Sequence, residues 1–320
     1  MRAIQVREFG GPEVLKLEEV PDLKPGAGQV LVRLEAAGVN PVEAYIRTGT
    51  YAQKPVLPYT PGADGAGVVA ALGQGVRGIK VNSRVYVEAA LTGTYAQACL
   101  VQAHHVHPLP SFVTCAQGAA MGVPYGTAHR ALFGKAKAKK GETLLVHGAS
   151  GGVGTASVQL AVRAGLKVIG TAGSGEGLAL VREQGAVLAL DHKDPDYLKQ
   201  LMAFTRGQGV DIVLEMAAHL NLGKDLTLLA KYGRVVVIGS RGPVEVNPRD
   251  SMGREASIHG MTLFNVTPEE RVKIHKDLVQ GLKTKKLRPV IGKELPLSAA
   301  AQAHELLMKP GAFGKTVLVP

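Results

Sequence analysis

An α/β architecture is predicted, with a β-rich N-terminal part ahead of a parallel, doubly wound sheet. Three observations carry this reading. Short alternating apolar runs broken by Gly and Pro fill the first 120 residues. Beyond residue 140, valine- and isoleucine-rich runs alternate with amphipathic stretches of helix length. The first of those runs ends in a glycine cluster, His147-Gly148-Ala149-Ser150-Gly151-Gly152-Val153-Gly154. The length of 320 residues suffices for two domains with well-buried cores.

Taken in order, residues 29–36, 65–72 and 83–89 read as strands of a barrel-like or sandwich-like part. Pro55, Pro58 and Pro61 stiffen the approach to Gly62-Ala63-Asp64-Gly65, which suits a functional loop or a structural turn equally. Residues 144–146 then enter the glycine cluster, where Gly148, Gly151 and Gly154 recur at three-residue steps. Such spacing allows a tight turn, close approach of backbone to phosphate, and close packing of the next helix. Strands are expected at 166–171, 187–190, 210–215 and 233–239, with crossover helices at 153–164, 175–184, 196–206 and 221–231. Residues 257–263 supply a candidate sixth strand. The glycine loop sits at the C-terminal end of the first strand, where open parallel sheets bind their ligands.

Composition narrows the class. No apolar run approaches the roughly 20 residues that span a bilayer, and Arg2, Arg7 and Glu8 stand near the N-terminus, so a soluble, cytoplasmic protein is expected. Cys99 and Cys115 are too few for a disulfide framework and lack zinc-knuckle spacing, which predicts reduced, buried thiols. The net charge of +11 raises nucleic acid or a membrane surface as partners. Lys135, Lys137, Lys139 and Lys140, then Lys283, Lys285, Lys286 and Arg288, concentrate that charge, but no aromatic residues interleave them and Trp is absent. Both runs read as solvated faces, with a weak polyanion site as the alternative. His104, His105 and His107 lie close in sequence, yet on an alternating strand they would not all converge and no Cys accompanies them. No metal site is expected.

Cofactor choice is legible one step further. NAD-specific folds place Asp or Glu about 20 residues beyond the glycine loop, on the ribose 2′-hydroxyl. Here that strand ends Gly170-Thr171-Ala172-Gly173-Ser174, and the nearest acid is Glu176. Small residues leave room for a 2′-phosphate that Lys193 or Arg241 could reach, which favours NADPH over NADH; as the bland alternative, both are ordinary surface cations.

These motifs carry a family resemblance. Glu8-Phe9-Gly10-Gly11-Pro12-Glu13-Val14-Leu15, Gly38-Val39-Asn40-Pro41-Val42-Glu43, Leu57-Pro58-Tyr59-Thr60-Pro61-Gly62, the Val146–Gly154 loop, Gly239-Ser240-Arg241-Gly242, Val246-Asn247-Pro248-Arg249-Asp250 and Pro289-Val290-Ile291-Gly292 run from end to end of the chain. Together they resemble the zinc-independent, zeta-crystallin-like quinone oxidoreductases of the medium-chain dehydrogenase/reductase superfamily. The resemblance implies a GroES-like catalytic domain (1–123), a Rossmann domain (124–264) and a C-terminal segment (265–320) returning to the catalytic domain. It implies NADPH as cofactor and ortho-quinones or activated enones as substrates. It carries cofactor contacts onto Tyr45, Ser150, Gly151, Gly152, Val153, Gly173, His192, Asn221, Ile238, Gly239, Ser240, Arg241, Met261, Thr262, Leu263 and Lys315, and the substrate end onto Asn40 and Tyr51.

Alcohol dehydrogenases of that superfamily hold zinc with Cys and His, where this chain offers Asn40 and Gly62-Ala63-Asp64, so the chemistry is expected to rest on the cofactor. Asn40 as an amide donor and Tyr45 or Tyr51 as a phenol donor suit the negative charge that develops on a carbonyl oxygen; a satisfied turn amide and a cofactor-packing ring are the alternatives. The resemblance also implies a homo-oligomer, tetramer or dimer, formed by sheet extension near residues 257–263. Two other roles occur among such proteins, binding of AU-rich RNA and service as a structural crystallin, and both stand as alternatives to the enzyme.

Overall fold

The structure, a computed structural model, describes residues 1–320. Contacts divide the chain into two compact units: Met1–Val123 with His275–Lys309 and Gly314–Pro320, and Pro124–Ile274 with Pro310–Phe313. The second division falls inside the helix Pro268–Lys283, beyond the 264/265 boundary drawn from sequence. A helix that runs unbroken through a boundary leaves no turn signal to mark it.

The first unit is built on a seven-stranded sheet in the order Ile291–Pro296, Lys315–Val319, Gln29–Gly38, Asp64–Leu72, Arg84–Val87, Val106–Pro108, with Ala98–Gln102 also pairing on Gln29–Gly38. Alternation forms the long strand: Val30, Val32 and Leu34 are buried while Arg33 and Glu35 face solvent. The buried set packs on Val69, Val85, Val87, Cys99 and Val101, each such side chain contributing about 1.5–3 kcal/mol over its exposed state. A second core joins Ile4 and Val6 to Leu297, Ala300, Ala303 and Leu318, so the C-terminal segment closes the N-terminal part. Cys99 and Cys115 are buried free thiols.

The second unit holds six parallel strands, Thr143–Val146, Lys167–Ala172, Leu188–Asp191, Val210–Glu215, Leu229–Val237 and Ser257–Gly260; numbered in chain order, they lie 3-2-1-4-5-6. The helices Gly152–Arg163, Gly175–Glu183, Tyr197–Phe204 and Ala218–Leu228 make the crossovers. Leu145, Ile169, Val213 and Val235 form a common core, which explains why these strands read as continuous apolar runs rather than alternating ones. The order reverses at the first strand, and the glycine cluster leaves from that point.

Two local expectations are corrected. The helix predicted through residue 231 ends at Leu228, and the next strand begins at Leu229. Tyr232 takes φ +64°, and the ladder shifts register before resuming at Arg234, so the strand carries a bulge-like irregularity at 230–233 that the apolar pattern does not reveal. Met121–Tyr125 and Arg130–Lys135 wind as π-helical turns in a stretch to which periodicity assigned no element. That stretch is buried nearly all round, so no polar face marked it.

Candidate active site

The first strand's apolar residues Leu144, Leu145 and Val146 are fully buried and deliver the chain to its carboxyl edge. There Gly148 takes φ +59°, a conformation that L side chains rarely adopt, and its N–H donates to Thr171 Oγ1 at 3.2 Å. A Cβ on Gly154 would stand 2.2 Å from Gly148 O and 2.6 Å from Ala149 Cα, so this position fixes how closely the helix Gly152–Arg163 sits on the loop. That helix starts from Gly151 with no side-chain cap. Its first N–H groups therefore face outward with no internal partner, and the aligned backbone dipoles favour an anion there. A glycine cradle at an uncapped helix start fits a dinucleotide pyrophosphate.

The remaining predicted cofactor residues of this unit fall at the carboxyl ends of the other strands. Gly173 follows the second strand and His192 the third; a Cβ on Gly173 would meet His192 Nε2 at 2.7 Å. Lys193 Nζ donates to the Gly173 carbonyl, bringing an ammonium to the place where an NAD-specific site carries an acid. Ser174 caps the next helix through Gly177 N, leaving Glu176 in its exposed first turn. Burial holds His192 below the usual imidazole range. Asn221 donates to Glu215 Oε1 at 3.3 Å. Ile238 and Gly239 turn back onto the Glu215 carbonyl at 2.8 and 3.2 Å, Ser240 bonds Gly242, and the Arg241 amide donates to His219 Nδ1. Met261, Thr262 and Leu263 follow the sixth strand and are half-buried. Ser150 is buried and its hydroxyl donates to Ala312 O at 2.7 Å, so what this residue offers outward is its backbone.

Beneath this edge lies a group that the sequence reading did not assign. His147 Nε2 stands 2.9 Å from Asp225 Oδ1 and 3.6 Å from Glu215 Oε2, all three buried. Burial raises both carboxyls to about 7 and lowers the imidazole. Acids set inside or at the end of apolar segments were the available signal.

In the first unit, Asn40 starts the helix Pro41–Arg47, which carries Tyr45. Its Nδ2 donates to Glu43 Oε1 at 3.0 Å and Asp64 Oδ2 at 3.1 Å, and its Oδ1 accepts from Lys315 Nζ. Both amide hydrogens are thus held by carboxylates, the arrangement expected of Asn40 as a satisfied turn amide. The Lys315 ammonium is turned inward to Asn40 and to Asp64, 3.7 Å away. Burial pushes Asp64 up to about 7, against the pull of Lys315, and lowers Lys315. Tyr95 completes the network by donating to Glu43 Oε2 at 2.7 Å. Zinc does not fit these residues, since the cluster has neither thiolate nor imidazole at its centre and the Lys315 ammonium already stands against the Asp64 carboxylate. The spacing Asn40-Pro41-Val42-Glu43 was the signal for Glu43, whose carboxylate accepts from Asn40 N at 2.7 Å. Tyr45 and Tyr51 are both half-buried.

The chain is similar to known proteins along its whole length. The family model described as "Alcohol dehydrogenase GroES-like domain" matches residues 26–111, and that described as "Zinc-binding dehydrogenase" matches residues 152–279. A quinone oxidoreductase of Rattus norvegicus is 49% identical over the whole chain and 98% of its own length. Among solved structures, a mycobacterial protein complexed with NADPH superposes with a TM-score of 0.91 at 32% identity, covering both chains fully. The Escherichia coli quinone oxidoreductase complexed with NADPH gives 0.89 at 28% identity, again over both full chains.

Proposed function

This chain belongs to the quinone oxidoreductase family of the medium-chain dehydrogenase/reductase superfamily, and we propose that it reduces quinones or activated enones with NADPH and without zinc. One observation carries the cofactor choice: Lys193 lies across Gly173 at the end of the second strand. The pyrophosphate would rest on the N–H groups of Gly152 and Val153, with the adenosine 2′-phosphate against Lys193 and Arg241. Gly173, His192, Asn221, the turn Ile238 to Arg241, and Met261 to Leu263 would line the rest of the nucleotide. Bound there, NADPH supplies the reducing equivalents.

The protein's own work is orientation, exclusion of water, and stabilisation of charge developing on the carbonyl oxygen. With Asn40 and Lys315 engaged in their own network, Tyr45 and Tyr51 are the phenol donors suited to that oxygen. Asn40, Glu43, Asp64 and Lys315 act as positioning residues that fix the start of the helix bearing Tyr45. Copies of the chain would associate through the edge strand Ser257–Gly260, which has a neighbour on one side only and leaves Ile258 exposed.

Steady-state turnover with 1,2-naphthoquinone tests this reading, with NADPH and NADH compared in the presence of a chelator. NADPH-selective turnover unaffected by the chelator is expected, and Lys193→Glu should reverse the preference between the two cofactors. Equal use of both cofactors by the parent protein would remove the assigned 2′-phosphate site.

A further inference from the structure

Four residues far from the glycine loop in sequence meet in the first unit. Glu88 follows the strand Arg84–Val87, His107 lies on the neighbouring strand Val106–Pro108 directly opposite Tyr86, and His275 comes from the helix Pro268–Lys283. Glu88 Oε1 stands 3.1 Å from His275 Nε2, 3.5 Å from His107 Nε2 and 3.0 Å from His105 Nδ1. All four side chains are at most 14% exposed. His104 stays out of this group: it is exposed, and its ring lies tilted at 45° beside His105, 4.2 Å between centroids. Sequence could not show that His105 and His107 share a carboxylate with a histidine from a distant helix.

We propose that Glu88, His107 and His275 form a binding site for one divalent transition-metal ion of the zinc type. Ligand atoms about 2.0–2.1 Å from a tetrahedral zinc ion stand roughly 3.4 Å from one another, and the distances of 3.1 and 3.5 Å from the carboxylate oxygen to the two imidazole nitrogens bracket that edge. Two imidazoles and one carboxylate are a donor set that borderline-soft ions take in preference to Mg²⁺ or Ca²⁺. Three protein ligands leave one position for water.

The protonation states suit a metal. His105 donates to the ionised Glu88 and orients it. Tyr86 OH lies 3.0 Å from His275 Nδ1, so in the metal-free form the hydroxyl donates to Nδ1 while Nε2–H faces Glu88. Metal on Nε2 moves that proton to Nδ1, where the Tyr86 oxygen accepts it, with no net proton released. His107 Nε2 is buried and has no hydrogen-bond partner. Such a nitrogen is costly to bury unless a ligand takes its lone pair. The His107 and His275 rings lie parallel at 4.0 Å, and the ligand atoms of Glu88, His107 and His275 all lie within 4.8 Å of one another, close enough for a rotation of His107 to bring the two Nε2 atoms onto one ion.

Calorimetric titration of Zn²⁺ into the full-length, chelator-stripped protein tests the site, with thermal unfolding recorded in parallel. One ion per chain and a rise in melting temperature are expected, with no heat from Mg²⁺. His107→Gln removes the imidazole ring with its Nε2 ligand atom; with folding checked by the metal-free melting temperature, it should lower zinc affinity at least tenfold and abolish the thermal shift. Glu88→Gln should do the same. The proposal is overturned if no stoichiometric binding is seen, if Mg²⁺ competes, or if both variants bind as the parent does, which would mean adventitious surface histidines.

Discussion

Gly151 and Gly154 lie three residues apart in one glycine cluster, yet the space around them differs. A Cβ at Gly154 would collide with the backbone of Gly148 and Ala149, whereas one at Gly151 would make ordinary contacts, with Ala312 Cβ at 3.4 Å and Gly148 O at 3.5 Å. Gly154→Ala should therefore destabilise the protein by about 1–3 kcal/mol as the loop and helix are forced apart, read as a lower urea midpoint at unchanged slope. Gly151→Ala should keep the parent's stability and weaken NADPH alone, because its methyl group crowds the helix start rather than the core. Equal unfolding midpoints for the two variants would contradict this division. Asn40→Ala is a different kind of loss: it strips hydrogen-bond partners from Glu43, Asp64 and Lys315 at once. The expected cost is about 2–4 kcal/mol, a lost cap plus unpaired buried charge, and Asn40→Asp should not rescue it, since a third carboxylate would join Glu43 and Asp64.

The strands and crossover helices of the parallel sheet were legible because buried strands must be apolar and the helices between them must be amphipathic, and both patterns survive in one sequence. The clusters were not. Asn40 meets Lys315, and Glu88 meets His275, only after the C-terminal segment returns to the first unit; no local period encodes such meetings. The same holds for His147, Glu215 and Asp225, contributed by the ends of two strands and by the helix Ala218–Leu228. Glu215 Oε2 and Asp225 Oδ2 are both buried with no other hydrogen-bond partner, and one proton between the carboxyls satisfies both. Folding thus raises the pair to about 7 from ordinary values of 4.5 and 3.8. The stability this contributes is fully present below the unfolded values and is lost as pH rises through the folded ones. Asp225→Asn cannot lose a proton, so the parent should become less stable relative to this variant, by on the order of a few kcal/mol, between about pH 4 and about pH 8. Denaturant midpoints of both proteins across that range check it; a constant difference would mean the pair is ionised throughout.

For the molecule as a whole, the question is whether a net charge of +11 draws the anionic cofactor by its sum or by its placement. Lys135, Lys137, Lys139 and Lys140 precede the strand Thr143–Val146 and so lie at the amino edge of the sheet, while the glycine loop and Lys193 lie at its carboxyl edge. The run's nearest structural tie is local: Lys139 N donates to Glu142, whose carboxylate is gripped by Arg234 at 2.8 Å. At physiological ionic strength, charges more than about 8 Å apart in solvent are largely screened. The run should therefore add to long-range steering in dilute buffer and little else. Replacing Lys137, Lys139 and Lys140 together by Gln is expected to leave the KM for NADPH within about twofold at physiological salt, whereas Lys193→Gln, one charge instead of three, should raise it about tenfold, the equivalent of about 1.4 kcal/mol. In low salt the triple variant should begin to slow association with NADPH, and added salt should erase that difference. A triple variant as impaired as Lys193→Gln in physiological salt would mean that the summed field, not the placed ammonium, selects the cofactor.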